Sequence, residues 1–347
     1  MSRYLKRKVD PYVPGEQPGG GFLKLNTNES PFPPSPHAIS YAADSSRRAE
    51  LYPDPECKAL ANAAARVLGV RPENLVFADG SDAILNYAFA AYCSEGERNP
   101  VFADLTYGFY KTLTGFYGVE AEIIPLREDF TVDIDAFEKS DGVIFLPNPN
   151  APTGLALPLC DIERIVSSRE DRIVVIDEAY VDFGTESAVS LIGKYNNLIV
   201  TRTFSKSRSL AGARLGFAVA DAELIEDLNA VKYSLDPYCV TSHAMAAGIG
   251  SLADNDYFEA CRERIIESRA YTMEALRELG FFVTDSAANF VFARCDRISG
   301  AELCRALRGE KILVRHFGGR AEDFVRITVG KKSDMKRLIS AVERILS

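Results

Sequence analysis

Short apolar runs, rich in Val and Ile and bounded by polar or turn residues, recur between about residues 56 and 235. They read NLVFADG, GVIFLPN, DRIVVIDEAY, NLIVTRTFSK and LGFAVAD. Runs of this length are typical of strands buried on both faces of a mostly parallel sheet that is covered by helices. Between them, KALANAAARVLG predicts a helix ending at Gly69, and a second helix is predicted from Ser81. The pattern indicates an α/β fold.

The pattern changes after Asp236-Pro237. A helix of small residues (about 239–252) precedes a long amphipathic one, and the strand-like runs ANFVFARC, KILVRHF and DFVRITVG lead to a closing helix. The first 36 residues are dense in Pro and Gly, which predicts an extended arm lying across other elements. We therefore expect an arm (1–44) that contributes to the small domain and the dimer, a large domain (45–238) and a smaller α+β domain (239–347).

Composition narrows the function classes. A net charge of −9 argues against nucleic-acid binding, which needs a basic field. No apolar run approaches the ~18–20 residues of a membrane span, and the basic start MSRYLKRKVD lacks the apolar stretch of a signal peptide. Seven cysteines at irregular spacing, with no C-x-x-C, favour reduced thiols in a cytoplasmic protein. Cys239 and His243 lie four apart, but no second pair completes a metal shell, so we expect no metal site.

Lys206 follows the apolar run NLIVTRTF and should stand near the end of a buried strand. A buried lysine is costly to desolvate unless it is paired or used covalently, and Schiff-base formation would use its amine. A lysine that extends to solvent is the ordinary alternative. Its neighbours favour chemistry: Arg214 follows beyond a loop of small residues, and Gly80 and Ser81 mark a strand-to-helix turn. Together with Ser205 they could bind a phosphate, although a Gly-Ser turn is commonly only a helix cap.

Asp177 ends the run RIVVID. A carboxylate there could bind backbone amides, or it could keep a pyridine nitrogen protonated so that the ring withdraws electrons. Tyr180, three residues on, could donate to a phenolate oxygen of such a ring. Tyr107 could stack on the ring face, although an aromatic after a strand is more often part of the core.

The order of these motifs resembles that of the fold-type-I aminotransferases, which use pyridoxal 5′-phosphate. The motifs are GSD (80–82), TYGFY (106–110), NPNAPTG (148–154), DEAY (177–180) and SKSRSLAGARLGF (205–217). Within that group the chain is most similar to the histidinol-phosphate aminotransferases, through Pro11-Tyr12, LNTNESPFPPSP (25–36), Tyr52-Pro53, Arg315 and Arg326. The resemblance covers nearly the whole chain, and the motifs are specific as a set.

The resemblance implies a role for each matching position. Lys206 would be the Schiff-base lysine and proton shuttle. Cofactor-binding roles fall to Gly80, Ser81, Asp82, Tyr107, Asn150, Asp177, Tyr180, Ser205, Arg214 and, from the neighbouring subunit of a homodimer, Tyr52. Substrate-binding roles fall to Tyr12, Asn28, Arg315 and Arg326. The implied reaction takes L-histidinol phosphate and 2-oxoglutarate to imidazole acetol phosphate and L-glutamate.

One departure affects the cofactor site. The family usually has Asn directly before Pro-Thr-Gly, where it donates to the ring oxygen O3′, and this chain has Ala151. Asn150 could substitute, or Tyr180 could serve alone. Three other functions stay open at this point: an aromatic amino-acid aminotransferase, a threonine-phosphate decarboxylase, and a non-catalytic regulatory module. The acidic charge argues against a regulatory module attached to DNA.

Overall fold

A computed structural model of the protein describes residues 10–94 and 98–347. The basic start of the predicted arm, residues 1–9, lies outside the described residues. The helices are α1 (Pro36–Ser45), α2 (Lys58–Leu68), α3 (Ser81–Tyr92), α4 (Phe109–Tyr117), α5 (Ile134–Lys139), α6 (Leu159–Ser167), α7 (Ala222–Leu235), α8 (Ser242–Ala253), α9 (Asn255–Glu278), α10 (Gly300–Gly309) and α11 (Lys332–Leu346).

The strands are β1 (Leu23–Lys24), β2 (Leu75–Ala78), β3 (Pro100–Ala103), β4 (Glu122–Ile124), β5 (Val143–Pro147), β6 (Val174–Asp177), β7 (Leu198–Thr203), β8 (Gly216–Ala220), β9 (Phe282–Val283), β10 (Phe290–Arg294), β11 (Ile312–Leu313), β12 (Arg315–His316) and β13 (Phe324–Thr328). Seven of them form one sheet in the order β2-β8-β7-β6-β5-β3-β4, in which β8 alone is antiparallel to its neighbours. The predicted α/β class is confirmed.

The interior strands β5 and β6 are buried along their whole length, as their unbroken apolar runs predict. Helices cover both faces of the sheet, so the interior strands pack against two apolar layers. The ends of the elements follow local chemistry. Helix α2 ends where Gly69 adopts φ 70° and donates to Ala65 O, and α3 begins directly after Gly80. The predicted helix end at Gly69 and start at Ser81 are confirmed.

A second, antiparallel sheet has the order β12-β13-β10-β9 and packs with α9, α10 and α11 around a separate core. One predicted strand, KILVRHF, is wrong as a single element. It is divided into β11, which pairs in parallel with β1 of the arm, and β12, which pairs with β13. The arm therefore lies against this second lobe. The domain limits at 44 and 238 stay a prediction.

No helix in residues 10–94 and 98–347 combines the length and apolar character that a membrane crossing requires. All seven cysteines are free. His243, which the sequence pairs with Cys239, instead shares a hydrogen bond of 2.9 Å with Ser46 Oγ, while Cys239 accepts from the Tyr87 hydroxyl.

Candidate active site

A cavity of about 370 Å³ lies between the two sheets, at the carboxyl ends of β6 and β7. Ligands collect at this edge of a parallel sheet because the loops that follow the strands converge there. The arm and the second sheet close the cavity from the other side. All but three of the predicted site residues line it: Tyr12, Asn28, Ser81, Asp82, Tyr107, Asp177, Tyr180, Ser205, Lys206, Arg214, Arg315 and Arg326.

Lys206 projects into this cavity three residues after the end of β7. Its Nζ donates to the backbone oxygen of Thr27 at 3.2 Å and lies 5.8 Å from the centre of the Tyr180 ring. Burial, together with the positive charge of Arg326, lowers the pKa of Lys206 to about 8. A depressed pKa makes the neutral, nucleophilic amine available near neutral pH.

Asp177 ends β6 with its carboxylate buried. Oδ1 accepts from Thr201 Oγ1 at 3.1 Å and from the backbone N–H of Ala179 at 3.2 Å, while Oδ2 accepts from Tyr110 Oη at 3.2 Å. Burial raises the pKa of Asp177 to about 6, and the hydrogen bonds from Thr201 and Tyr110 oppose that rise. Among the described residues no lysine or arginine forms an ion pair with it. The site therefore suits a cationic partner supplied by a ligand.

An anion-binding corner lies at the start of α3. No side chain caps this helix, so the N–H groups of its first turn remain available. Gly80 has φ 121°, and a Cβ at this position would lie 2.5 Å from Arg214 Nη2, so only glycine allows the guanidinium to approach. Gly216 on β8 likewise leaves no room for a Cβ beside Ser81. Arg214 is half-exposed and lies 3.5 Å from Asp82 Oδ2.

Two tyrosines stand on different sides of the cavity. Tyr107 Oη donates to Asp82 Oδ1 at 2.9 Å, and its ring lies edge-on to Tyr12, with 6.1 Å between the ring centres. Tyr180 packs edge-on against Phe290 and accepts a hydrogen bond of 3.0 Å from Asn28 Nδ2. Asn28 is buried, and its Oδ1 accepts from Thr328 Oγ1. Both polar atoms of the Asn28 side chain are therefore engaged, and the side chain orients Tyr180.

The two predicted substrate arginines lie where the second sheet meets the arm. Arg326 on β13 donates to Asn26 O at 3.2 Å, its guanidinium lies over the rings of Phe290 and Phe317, and its buried Nε has no hydrogen-bond partner within the described residues. Arg315 donates to the backbone oxygen of Val13 at 3.0 Å. Burial lowers the pKa of Arg326, which nevertheless stays charged. Both arginines can donate hydrogen bonds to an anion that binds in the cavity.

Comparison with known proteins decides the family. The model of the class I and II aminotransferases matches residues 21–342. Histidinol-phosphate aminotransferase 1 of Burkholderia pseudomallei is 46% identical over 100% of both chains, and that of Methylococcus capsulatus is 44% identical over 99% of this chain and 97% of its own. The solved histidinol-phosphate aminotransferase of Sinorhizobium meliloti, in complex with pyridoxal-5′-phosphate, has a TM-score of 0.84 at 26% identity and covers 93% of this chain and 90% of its own.

The chain belongs to the histidinol-phosphate aminotransferase family.

Pyridoxal phosphate is the cofactor of this aminotransferase, and the cavity fits it. The fit rests on three features of the described residues. Asp177 is a buried carboxylate without an ion pair, Lys206 is an amine without an ion pair, and the first turn of α3, which no side chain caps, lies beside the Arg214 guanidinium. These groups match a ring nitrogen, an aldehyde and a phosphate respectively.

Asn150 does not reach the cavity of this aminotransferase. Its Nδ2 donates to Leu105 O at 3.1 Å and to Thr153 Oγ1 at 3.0 Å, and its Oδ1 accepts from Thr106 Oγ1 at 2.9 Å. Every polar atom of the side chain is therefore engaged with the neighbouring loops. Ala151 lines the cavity instead. Asn150 therefore does not substitute for the usual donor, and Tyr180 is left as the predicted donor to O3′.

Gly80 and Tyr52 are the other predicted residues that do not line the cavity. Gly80 lies directly behind it, against Arg214. Tyr52 is 82% exposed and stacks on Tyr238, with 4.7 Å between the ring centres. Within one subunit, Tyr52 does not contribute to this site.

Several lining or supporting residues were not predicted from the sequence. They are Asn26, Thr27, Tyr110, Thr201 and Gly216. Asn26 and Thr27 lie in the same arm motif as Asn28, and Tyr110 lies in the same TYGFY motif as Tyr107, so their positions carried a signal. Thr201 had none, because a threonine in an apolar strand is ordinary.

Proposed function

We propose that the protein transfers the amino group of L-histidinol phosphate to 2-oxoglutarate, giving imidazole acetol phosphate and L-glutamate. The observation that carries this proposal is the pair of arginines, Arg315 and Arg326, at the side of the cavity opposite the predicted phosphate corner. A guanidinium pairs with either a phosphate monoester or a carboxylate, so the same pair can serve both substrates. The full-length similarity to histidinol-phosphate aminotransferases supports it.

Lys206 is proposed to move the proton. Pyridoxal phosphate, when bound, supplies a ring that withdraws electrons from the substrate's Cα. Asp177, as a carboxylate, would pair with the protonated ring nitrogen and so keep the ring cationic. The Lys206 amine, once neutral, takes the Cα proton and returns it at C4′ of the cofactor. Tyr180 donates to O3′, and Tyr107 fixes the ring plane from its position beside Asp82.

Arg326 is proposed to hold the anionic end of each substrate, with Arg315 and Tyr12 assisting when that end is a phosphate. Arg326 offers a buried N–H without a partner among the described residues, and burial strengthens its attraction for an anion because water competes less. Arg315 would exchange the carbonyl of Val13 for the phosphate. That exchange replaces a neutral acceptor by a charged one, which is the stronger hydrogen bond.

A half-reaction titration tests the substrate. The purified holoenzyme is mixed with histidinol phosphate, phenylalanine, tyrosine or threonine phosphate, and the visible absorbance of the cofactor is followed. We expect histidinol phosphate to convert the cofactor at a concentration roughly 100-fold below that of phenylalanine, since phenylalanine has a carboxylate but no phosphate for Arg315 and Tyr12 to bind. Equal response to phenylalanine indicates an aromatic aminotransferase, and carbon dioxide release from threonine phosphate indicates a decarboxylase. Either result refutes the proposal.

We further propose a homodimer with shared active sites. Large apolar and aromatic side chains are exposed near Tyr52, among them Ile39, Tyr41, Leu51 and Tyr238. Such a patch is typical of a protein–protein interface. If this patch were buried against a second copy of the chain, Tyr52 would lie near the anion-binding corner of that copy. The free state of every cysteine supports a location in the reducing cytoplasm.

A further inference from the structure

The carboxylate of Asp177 receives its only described hydrogen bond to Oδ2 from a tyrosine to which the proposed reaction gives no role. Tyr110 is the second residue of α4, and its Oη lies 3.2 Å from Asp177 Oδ2. The other carboxylate oxygen, Oδ1, accepts from Thr201 and from the backbone of Ala179. The carboxylate is therefore oriented from both oxygens by groups behind the cavity.

The Tyr110 hydroxyl can only be a donor here. The side chain is fully buried, and burial together with the negative charge of Asp177 raises the pKa of Tyr110 well above its ordinary value. The phenol therefore stays protonated and donates a hydrogen bond to the carboxylate. Reversal of the roles would require Asp177 to carry the proton and Tyr110 Oη to accept it, which would forfeit the charge-assisted bond.

Aromatic packing holds Tyr110 in this position. Its ring lies 5.7 Å from those of Phe102 and Phe145, and it stands edge-on to Tyr107 at 5.8 Å with an interplanar angle of 83°. The same side chain thus touches the carboxylate proposed for the ring nitrogen and the tyrosine proposed for the ring face. A residue that served only for packing would make both contacts as well. The hydroxyl of Tyr110 therefore distinguishes a chemical role from a packing role.

We propose that Tyr110 is a positioning residue that keeps the shared proton on the cofactor's ring nitrogen rather than on Asp177. A carboxylate in an apolar setting gains proton affinity, and each hydrogen bond donated to it reduces that affinity. Without the Tyr110 hydroxyl, the neutral pair of an uncharged ring and a protonated Asp177 becomes more favourable. The ring then withdraws electrons less effectively, while the anion-binding groups are unaffected.

The test uses holoenzyme that carries cofactor labelled with ¹⁵N at the ring nitrogen. In Tyr110→Phe, we expect the ¹⁵N resonance to move from the position of a protonated pyridine toward that of a neutral one. We also expect kcat to fall roughly 10- to 100-fold, the effect of losing one hydrogen bond to a charged group, with little change in KM for the amino donor. The result does not depend on the identity of that donor, so the best donor found by the half-reaction titration is used.

Tyr117→Phe is the matched control. Tyr117 lies on the same helix, and its hydroxyl donates to Asn86 Oδ1 at 2.8 Å, away from Asp177. This variant should leave the ¹⁵N resonance unchanged. Thr201→Val, which removes a donor from Oδ1, should move the resonance in the same direction as Tyr110→Phe.

An unchanged ¹⁵N resonance in folded Tyr110→Phe holoenzyme would overturn the proposal and leave Tyr110 as a packing residue. A second measurement needs no variant. A crystal structure of the unmodified holoenzyme should keep Tyr110 Oη within hydrogen-bond distance of Asp177 Oδ2, and a separation beyond about 3.5 Å would also overturn it.

Discussion

At the scale of single residues, the site works through the cost of burying charge. Lys206 and Asp177 lie in the same cavity, yet each has its pKa moved toward the neutral form, downward to about 8 and upward to about 6 respectively. Opposite charges in direct contact would move both pKa values the other way. Both groups can therefore gain or lose a proton near neutral pH.

The lowered pKa of Lys206 predicts when its amine reacts. In cofactor-free protein, acetylation by acetic anhydride should rise with pH, reach half its maximum near pH 8 and level off above about pH 9, because only the neutral amine attacks. Lys194 is the internal control. It is exposed and paired with Glu163, which raises its pKa, so its acetylation should still be increasing above that pH. Mass spectrometry of the modified peptides gives both curves, and superimposable curves would contradict the prediction.

At the scale of elements, one buried arginine joins two helices to the sheet. Arg172, just before β6, donates to Phe137 O and Ser140 O at the end of α5 and to Ile165 O near the end of α6. The last carbonyls of a helix lack internal partners and carry partial negative charge. A planar guanidinium satisfies both helix ends at once. This contact also fixes the start of the strand that ends at Asp177.

We expect Arg172→Met to destabilise the protein by about 3 kcal/mol or more, because three carbonyls lose a charged hydrogen-bond donor at roughly 1–3 kcal/mol each. Arg169→Met is the control. Arg169 forms surface ion pairs with Asp141 and Asp171, so its loss should cost no more than about 1 kcal/mol. Denaturant unfolding of the two variants gives the comparison. Similar losses would mean that Arg172 does not act as a shared helix cap.

At the scale of the whole molecule, the cavity exists because two lobes are held together beside it. Arg320, between β12 and β13, donates to Asp104 Oδ2 at 3.1 Å and to Leu126 O at 2.7 Å on the large sheet's side. Thr284 Oγ1 donates to Thr153 O at 2.6 Å. These contacts hold the second sheet, with Arg315 and Arg326, against the cavity that Lys206 also lines. The proposed second subunit would add Tyr52.

Subunit mixing tests the shared site. Lys206→Ala and Tyr52→Ala proteins should each have little activity, but a hybrid dimer regains one site with Lys206 from one chain and Tyr52 from the other. Random exchange should restore about a quarter of the normal activity, because half of the dimers are hybrids with one of two sites complete.

The control is a mixture of Lys206→Ala with Asp177→Asn. Both groups line the same cavity of one chain, so no hybrid site is complete and activity should stay low. Recovery in this control, or its absence in the first mixture, would contradict a site that Tyr52 joins from the partner.

The order of apolar runs, caps and motifs was enough to predict the α/β class, the helix limits at Gly69 and Ser81, and about half of the residues that line the cavity. It could do so because apolar runs and caps act locally, and because residues that follow parallel strands must meet at one edge of the sheet. Asp177 and Lys206 could be predicted as site residues for that reason.

The direction in which a candidate side chain points, toward the cavity or away from it, became known from the packed structure. Asn150 is adjacent to the lining residue Ala151, yet its amide is engaged by Leu105, Thr106 and Thr153. Tyr110 became part of the site because its hydroxyl, at the start of α4, reaches Asp177 at the end of β6, and the two residues lie 67 positions apart in the chain. Hydrogen bonds between residues far apart in the chain depend on how the elements pack, and packing is a property of the whole fold.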